Sequence, residues 1–346
     1  MMTRSLSLSL LLALGTGLAG CAANVVDDND DGNGGGGGSG GGDGEIRPMS
    51  AEGKYSMSST FDIATNMPGT AGAVVNAFID ATDSPDDPTH WILDQIIAKL
   101  PDGQIKNTLQ GAVPFAAGYL NDRLLDVAPE FVTTVRDLGN KFGQVARKFG
   151  TMETLEIAAG GQAVKTVIGV EFHIDNIDLQ YPFVDYNMAD VAIPMVGVMV
   201  ENTGRLTIAD HKVPLSYGKV LRIALDEVVI PMVDPTAFNL GDVLKHLVNC
   251  QKVGLYLYQA FNIGSASTFQ SACDAGLAGG SSMLYGLLNK VDGSALEFGI
   301  NGVARGLDTN NDGKMDKIQT GAWAGTLAYG GNGAPLGTGT FIGKRM

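Results

Sequence analysis

Residues 308–316, Asp308-Thr309-Asn310-Asn311-Asp312-Gly313-Lys314-Met315-Asp316, form the stretch of this sequence best suited to chemistry. Carboxylate and amide oxygens recur at positions 308, 310 and 312, Asp316 adds a further carboxylate, and Gly313 permits a sharp turn. Hard cations want such oxygens, six to eight of them at about 2.3–2.6 Å. The plain alternative is an Asn-Asp-Gly turn with acidic decoration. A second set, Glu171, His173 and Asp175, falls on one face of a predicted strand. At about 3.3 Å per residue these three span roughly 13 Å, too far to ligate one ion, and they read as a solvated face. Nucleophile motifs are poor. Gly279-Gly280-Ser281-Ser282-Met283 lacks the closing Gly of a hydrolase elbow and falls within a predicted helix. None of His90, His173, His211 and His246 stands in H-E-x-x-H spacing, and no glycine-rich phosphate loop follows a strand. The residue types point to no reaction, although triads assembled from distant positions keep a hydrolase among the alternatives.

The elements that must position these residues fall into two regions. From about residue 70 to 150 the pattern is helical. Asp87 caps and Pro88 opens a helix carrying Trp91, Ile92, Ile96 and Ile97, which Pro101 stops. A second helix is expected over 104–128 with a kink at Pro114. A third, over 129–149, carries a seam of Phe131, Val135, Leu138, Phe142, Val145 and Phe149, with Gly150 as its C-cap. Beyond Gly150 the period becomes two. Val164, Thr166, Ile168, Val170, Phe172 and Ile174 alternate with Lys165, Glu171, His173 and Asp175, as in a half-buried strand.

Further strands are expected over 189–200, over 205–209, after a turn at Asp210-His211, and over 220–232. Asp190–Val196 echoes Glu227–Val233, each with a Pro at the same place, which would put equivalent bends into two related strands. Helices over 239–250 and 273–291 precede strands over 295–304, 317–329 and 337–343. The expected fold is α+β, with N-terminal helices packed on a long, curved antiparallel β-sheet, or with the seam helix wrapped by that sheet.

The chain opens with Met1–Arg4 and an apolar run over 5–18, too short to span a bilayer and of the kind removed as a secretory signal. Leu18-Ala19-Gly20-Cys21 resembles the lipobox of bacterial lipoprotein signals. That resemblance, confined to residues 1–22, implies that Cys21 is acylated, palmitate included, and anchors the chain to the cell envelope through lipid. Ala22 is not the Asp that retains enteric lipoproteins at the inner membrane, so the outer membrane is the expected site. Residues 308–316 in turn resemble the calcium loop of EF-hands and of shorter secreted calcium turns. The resemblance implies a structural Ca2+ held by Asp308, Asn310, Asp312, Lys314 through its carbonyl, and Asp316. Gln319 stands where an EF-hand needs a bidentate Glu, and the flanks read as strands, so the implied site is a clamped hairpin and not a helix–loop–helix sensor.

With lipid on Cys21, two of the three cysteines remain, and an oxidising envelope favours a disulfide between Cys250 and Cys273. The rival reading is a catalytic thiol at Cys250 beside His246. Three domains of behaviour follow: a signal over 1–20, a lipidated tether over 21–48, and one globular body over 49–346, helical over 70–150 and mainly β with two helices over 151–346. The tether carries six acidic residues against Arg47, a net charge of −5, and its glycine tract gives a flexible reach of roughly 30 Å.

Of the 346 residues 45% are hydrophobic and 17% charged, enough to bury a core. Lys and Arg number 23 against 37 Asp and Glu, a formal charge of −14, which leaves no basic surface for nucleic acid. The roles left open are a non-enzymatic binding lipoprotein for a lipid or other apolar ligand, a structural lipoprotein that contacts another envelope protein, and an envelope hydrolase.

Overall fold

The structure, a computed structural model, describes residues 49–69, 72, 94–111, 126, 129–174, 177–292 and 294–346. The signal, Cys21, the tether, the helix opening at Asp87–Ile92, the Pro114 kink and Asp175 lie outside the described residues.

Period-two alternation builds most of the body. Ten strands occur among the described residues: β1 Gly53–Phe61, β2 Phe149–Ile157, β3 Gln162–Ile174, β4 Ile177–Pro182, β5 Val191–Val200, β6 Arg205–Leu215, β7 Leu296–Leu307, β8 Lys317–Tyr329, β9 Asn332–Pro335 and β10 Gly339–Arg345. All ladders are antiparallel, in the order β10-β1-β2-β3-β5-β6-β7-β8, and β8 pairs back with β10. Eight strands therefore close into a barrel. The two extra strands continue existing ladders: β4 and β5 run consecutively along β3, and β9 and β10 along β8.

This corrects the expected fold. The sheet is not a curved surface with N-terminal helices packed on it, nor is it wrapped round the seam helix. The missing pieces are β2 and β1, whose Tyr55, Met57, Ser59 and Phe61 face inward and join β10 to β2. Closure removes both open edges, which would otherwise expose unpaired N–H and C=O groups.

Side chains fill the barrel, as expected at eight strands. Phe61 and Phe298 pack tilted with centroids 4.8 Å apart, and Trp323 and Phe341 stack at 4.1 Å. Glycines on the inner face make room for them: a Cβ on Gly302 would lie 2.6 Å from the Trp323 ring. Lys54, Glu156, Lys212, Lys317 and Gln319 point outward and are exposed, whereas a bilayer-facing barrel carries an apolar outer band. Among the described residues no helix is long and apolar enough to cross a membrane.

Within β3 the inward set is Ala163, Lys165 and Val167, then Val170, Phe172 and Ile174. Ile168 is the extra residue of a bulge opposite Met152 and Glu153, and it switches the parity. The even-numbered reading of the strand is right only after this bulge: Val164 is 42% exposed and Lys165 is wholly buried. Similarly, β6 is one strand with an irregularity between Ile208 and His211, where two strands were expected. Gly150 lies in β2, so it is not a cap, and α1 (Phe131–Arg147) ends at Lys148.

Residues 220–232, expected as a strand, are helical. Here α2 (Tyr217–Ile223) runs into a π-helical segment, Ala224–Val229, and then α3 (Ile230–Val233). Arg222, Asp226 and Glu227 are the only charged positions over 220–232, too few to fix strand or helix by period, and packing against α1 and α6 decides for helix. The echo of Asp190–Val196 in Glu227–Val233 thus joins a strand to a helix and marks no pair of bends.

Three more helices follow: α4 Leu240–Leu247, α5 Cys250–Phe261 and α6 Ala266–Val291. Asn239, Asn249 and Ser265 cap them through their side-chain oxygens. Because α1 leads into β2, β6 into α2 and α6 into β7, these elements meet the barrel at one end. The turns at 158–161 and 201–204 and the loop at 308–316 occupy the other.

Candidate functional site

A groove of about 300 Å³ lies where the π-helical segment faces the excursion between β4 and β5, lined by Tyr186, Met188, Lys219, Arg222, Ile223, Asp226 and Glu227. Its shape starts from Pro231. Proline has no N–H for the carbonyl one turn earlier and crowds it, and here the Glu227 carbonyl accepts instead from the Tyr181 hydroxyl at 3.1 Å. The π-helical register sets Asp226 and Glu227 in the groove wall, and such segments recur at functional sites. Opposite them, the 3-10 turn Phe183–Tyr186 buries Phe183 and ends at Asn187 in the left-handed region, turning Tyr186 towards Tyr181 at 6.1 Å between rings.

Behind the groove, α6 contributes Tyr285. Its hydroxyl donates to Asp226 and accepts from the Leu240 N–H at 3.3 Å. The Arg222 guanidinium lies 5.2 Å from the centre of the Tyr285 ring and donates to Asn289 at 3.4 Å. Burial pushes the Asp226 carboxyl up, against the Tyr285 hydrogen bond and the Arg222 charge, which pull it down. Burial also raises the Tyr181 hydroxyl to about 12 and moves Tyr186 and Tyr285 in the same direction. Two cations and two carboxylates stand beside tyrosine, methionine and isoleucine, while no Ser, Cys or His lines the groove. Such a surface can hold and orient a ligand through apolar and charged contacts together.

The residues singled out by sequence lie elsewhere. The loop at 308–316 is a compact turn between β7 and β8. Asp308 accepts from the N–H groups of Asp312 and Gly313, Asn310 from Asp312, Asp312 from Lys314, and Asp316 from Thr309. Asn311 and Gly313 take the left-handed backbone that the turn requires. The loop also grips the start of the body, since Ser50 donates to the Gly313 carbonyl and accepts from Met315 N–H. Among the described residues no three His, Cys, Asp or Glu side chains are grouped to hold a metal ion.

Glu171 is buried, not solvated: its carboxylate accepts from Ser58 and meets His173 at 3.5 Å, while His173 pairs with Asp178 at 2.6 Å. Cys250 is joined to Cys273, with Cα atoms 5.5 Å apart, and His246 pairs with Asp234 at 2.7 Å, so Cys250 is no free thiol. Ser281 is buried inside α6.

Sequence reasoning did not find the groove. Its one visible signal was the Pro in Glu227–Val233, taken for a bend in a strand. No family model, no curated protein and no solved structure matches the chain.

Proposed function

We propose that this chain is a lipid-anchored protein of the cell envelope, held through Cys21 at the outer membrane, whose barrel carries a non-enzymatic binding site in the groove at the π-helical segment. The observation that carries the binding role is the convergence of Tyr186, Met188, Arg222 and Asp226 on one open groove. The anchor rests on the Leu-Ala-Gly-Cys signal. The apolar void between Phe142, Phe149, Phe172 and Tyr217 measures about 10 Å³, less than a lipid chain needs. The groove suits a small amphipathic ligand, its apolar part on Tyr186 and Met188 and its polar part on Arg222 and Asp226.

Two measurements test this reading. Metabolic labelling with a clickable palmitate should mark the chain and should fail with Cys21→Ser; an unmarked chain overturns the anchor. Mass spectrometry of small molecules released from the purified protein should find a species that is lost when Tyr186→Ala and Arg222→Ala are combined. A release profile unchanged by that pair overturns the groove as the site.

A second reading, a structural lipoprotein with a calcium-stabilised hairpin, is favoured by the donor chemistry of Asp308, Asn310, Asp312 and Asp316. Those side-chain oxygens keep lone pairs beyond their hydrogen bonds within the turn. Calcium should raise the thermal midpoint of the protein and a chelator should lower it, an effect that Asp308→Ala removes.

A further inference from the structure

The barrel core holds a group of polar side chains that the binding role does not use. Lys165 Nζ on β3 lies 3.2 Å from Glu153 Oε2 on β2, with the two side chains 0% and 1% exposed. Oε2 has no partner aligned as a hydrogen bond, whereas Oε1 accepts from Thr151 Oγ1 at 2.7 Å. On the other side of the amine stands His211 Nε2, at 3.4 Å. The Nδ1 of that ring faces the Ala209 carbonyl at 2.9 Å, which can only accept. Nδ1 therefore carries the proton, and Nε2 presents its lone pair to the amine. The Trp323 ring covers Lys165 with its centre 4.2 Å from Nζ, and the indole N–H donates to Ser59 at 3.0 Å.

We propose that Lys165 and Glu153 condense into an intramolecular amide, a covalent cross-link between β2 and β3 inside the barrel. In a dry core an ammonium and a carboxylate either keep their charges at a high desolvation cost or exchange a proton to give amine and acid. Burial drives Lys165 towards the free amine, and burial together with the Lys165 charge keeps His211 neutral. The neutral pair is the reactive one. Nζ attacks the Glu153 Cδ, forming the C–N bond while the carbonyl electrons move to Oε1, where the Thr151 hydroxyl holds them.

His211 Nε2 takes one proton from the nitrogen and passes it to Oε2. The Cδ–Oε2 bond then breaks and water leaves, carrying the acid proton and one amine proton. His211 ends neutral, and nothing is oxidised or reduced. Holding both groups in one rigid core supplies the effective concentration that free amines and acids lack, and the product removes two buried charges.

Trypsin digestion of wild-type protein that has folded and is then fully denatured reads the link directly. Lys and Arg are absent between Lys148 and Lys165 and between Lys165 and Arg205. Without the amide, trypsin releases Phe149–Lys165 and Thr166–Arg205 separately. With it, cleavage after Lys165 is blocked, and Phe149–Arg205 appears lighter by one water. Cleavage after Glu156 then yields two chains joined at Glu153 and Lys165. Glu153→Ala should restore the two separate peptides at full mass, and Lys165→Ala, which removes the cleavage site, should give a single 149–205 peptide with no loss of water. His211→Ala keeps both partners and should leave a mixture of linked and unlinked peptides. If folded wild-type protein gives Phe149–Lys165, or an uncut Phe149–Arg205 at full mass, the amide is overturned and the pair is an ordinary ion pair.

Discussion

His211 shows how much of this barrel depends on single side chains. Burial first, and the Lys165 charge second, lower its imidazole to about 4, against an ordinary value near 6.5. The folded state therefore refuses a proton that the unfolded chain accepts. His211 costs no stability above about pH 6.5; as pH falls towards 4, stability drops by about 3 kcal/mol. Urea titrations from pH 7 to pH 4 should show that loss, and His211→Gln should flatten it. Once an amide removes the Lys165 charge, the slope is shallower.

Gly302 makes the complementary point about volume. An added methyl meets the Trp323 ring, with Phe341 behind it, and Gly302→Ala should destabilise the protein by about 1–3 kcal/mol in the same titrations. Little of this was legible beforehand. Lys165 reads as a solvent-facing residue until Ile168 is known to be a bulge, because one extra residue reverses every side chain on one side of it. A bulge at Ile168 leaves no mark in composition.

Helices and strands differ in how openly they declare themselves. The seam of α1 and the strands β7 and β8 follow directly from the sequence, whereas α5 with its Asn249 cap and the first turns of α6 do not. The helical run over residues 217–233 does not, since Val and Ile dominate it and its neighbours supply the deciding contacts. Pro231 is the exception that could have been read, as a residue that breaks a helix ladder and leaves a carbonyl for another donor. Tyr181→Phe should cost about 1 kcal/mol in thermal or urea unfolding by leaving the Glu227 carbonyl without that donor. The same change should weaken any ligand bound at Tyr186. The disulfide ties the start of α5 to α6 across 23 residues. Unfolding with and without reductant should differ by about 3 kcal/mol, and the difference should vanish in the Cys250→Ser, Cys273→Ser double variant.

Across the whole molecule, closure was the feature that sequence hid. Six of the eight barrel strands were at least partly anticipated, yet without β1 and β2 they describe an open sheet. The groove was equally hidden, because it joins an excursion after β4 to a helix some 40 residues later, a proximity that only the three-dimensional path creates. The loop at 308–316 was visible at once, its oxygens being adjacent in the chain.

Joining β1 to β10 has a consequence for how the polypeptide comes into being. Tyr55 pairs with Arg345 across 290 residues of intervening chain, and at about 5–20 residues per second a ribosome needs roughly 15–60 s to deliver the second after the first. Throughout that interval the first stave waits for its neighbour on one side, and the cylinder has no way to lock. Nascent protein therefore cannot set into its closed form until β10 has been delivered.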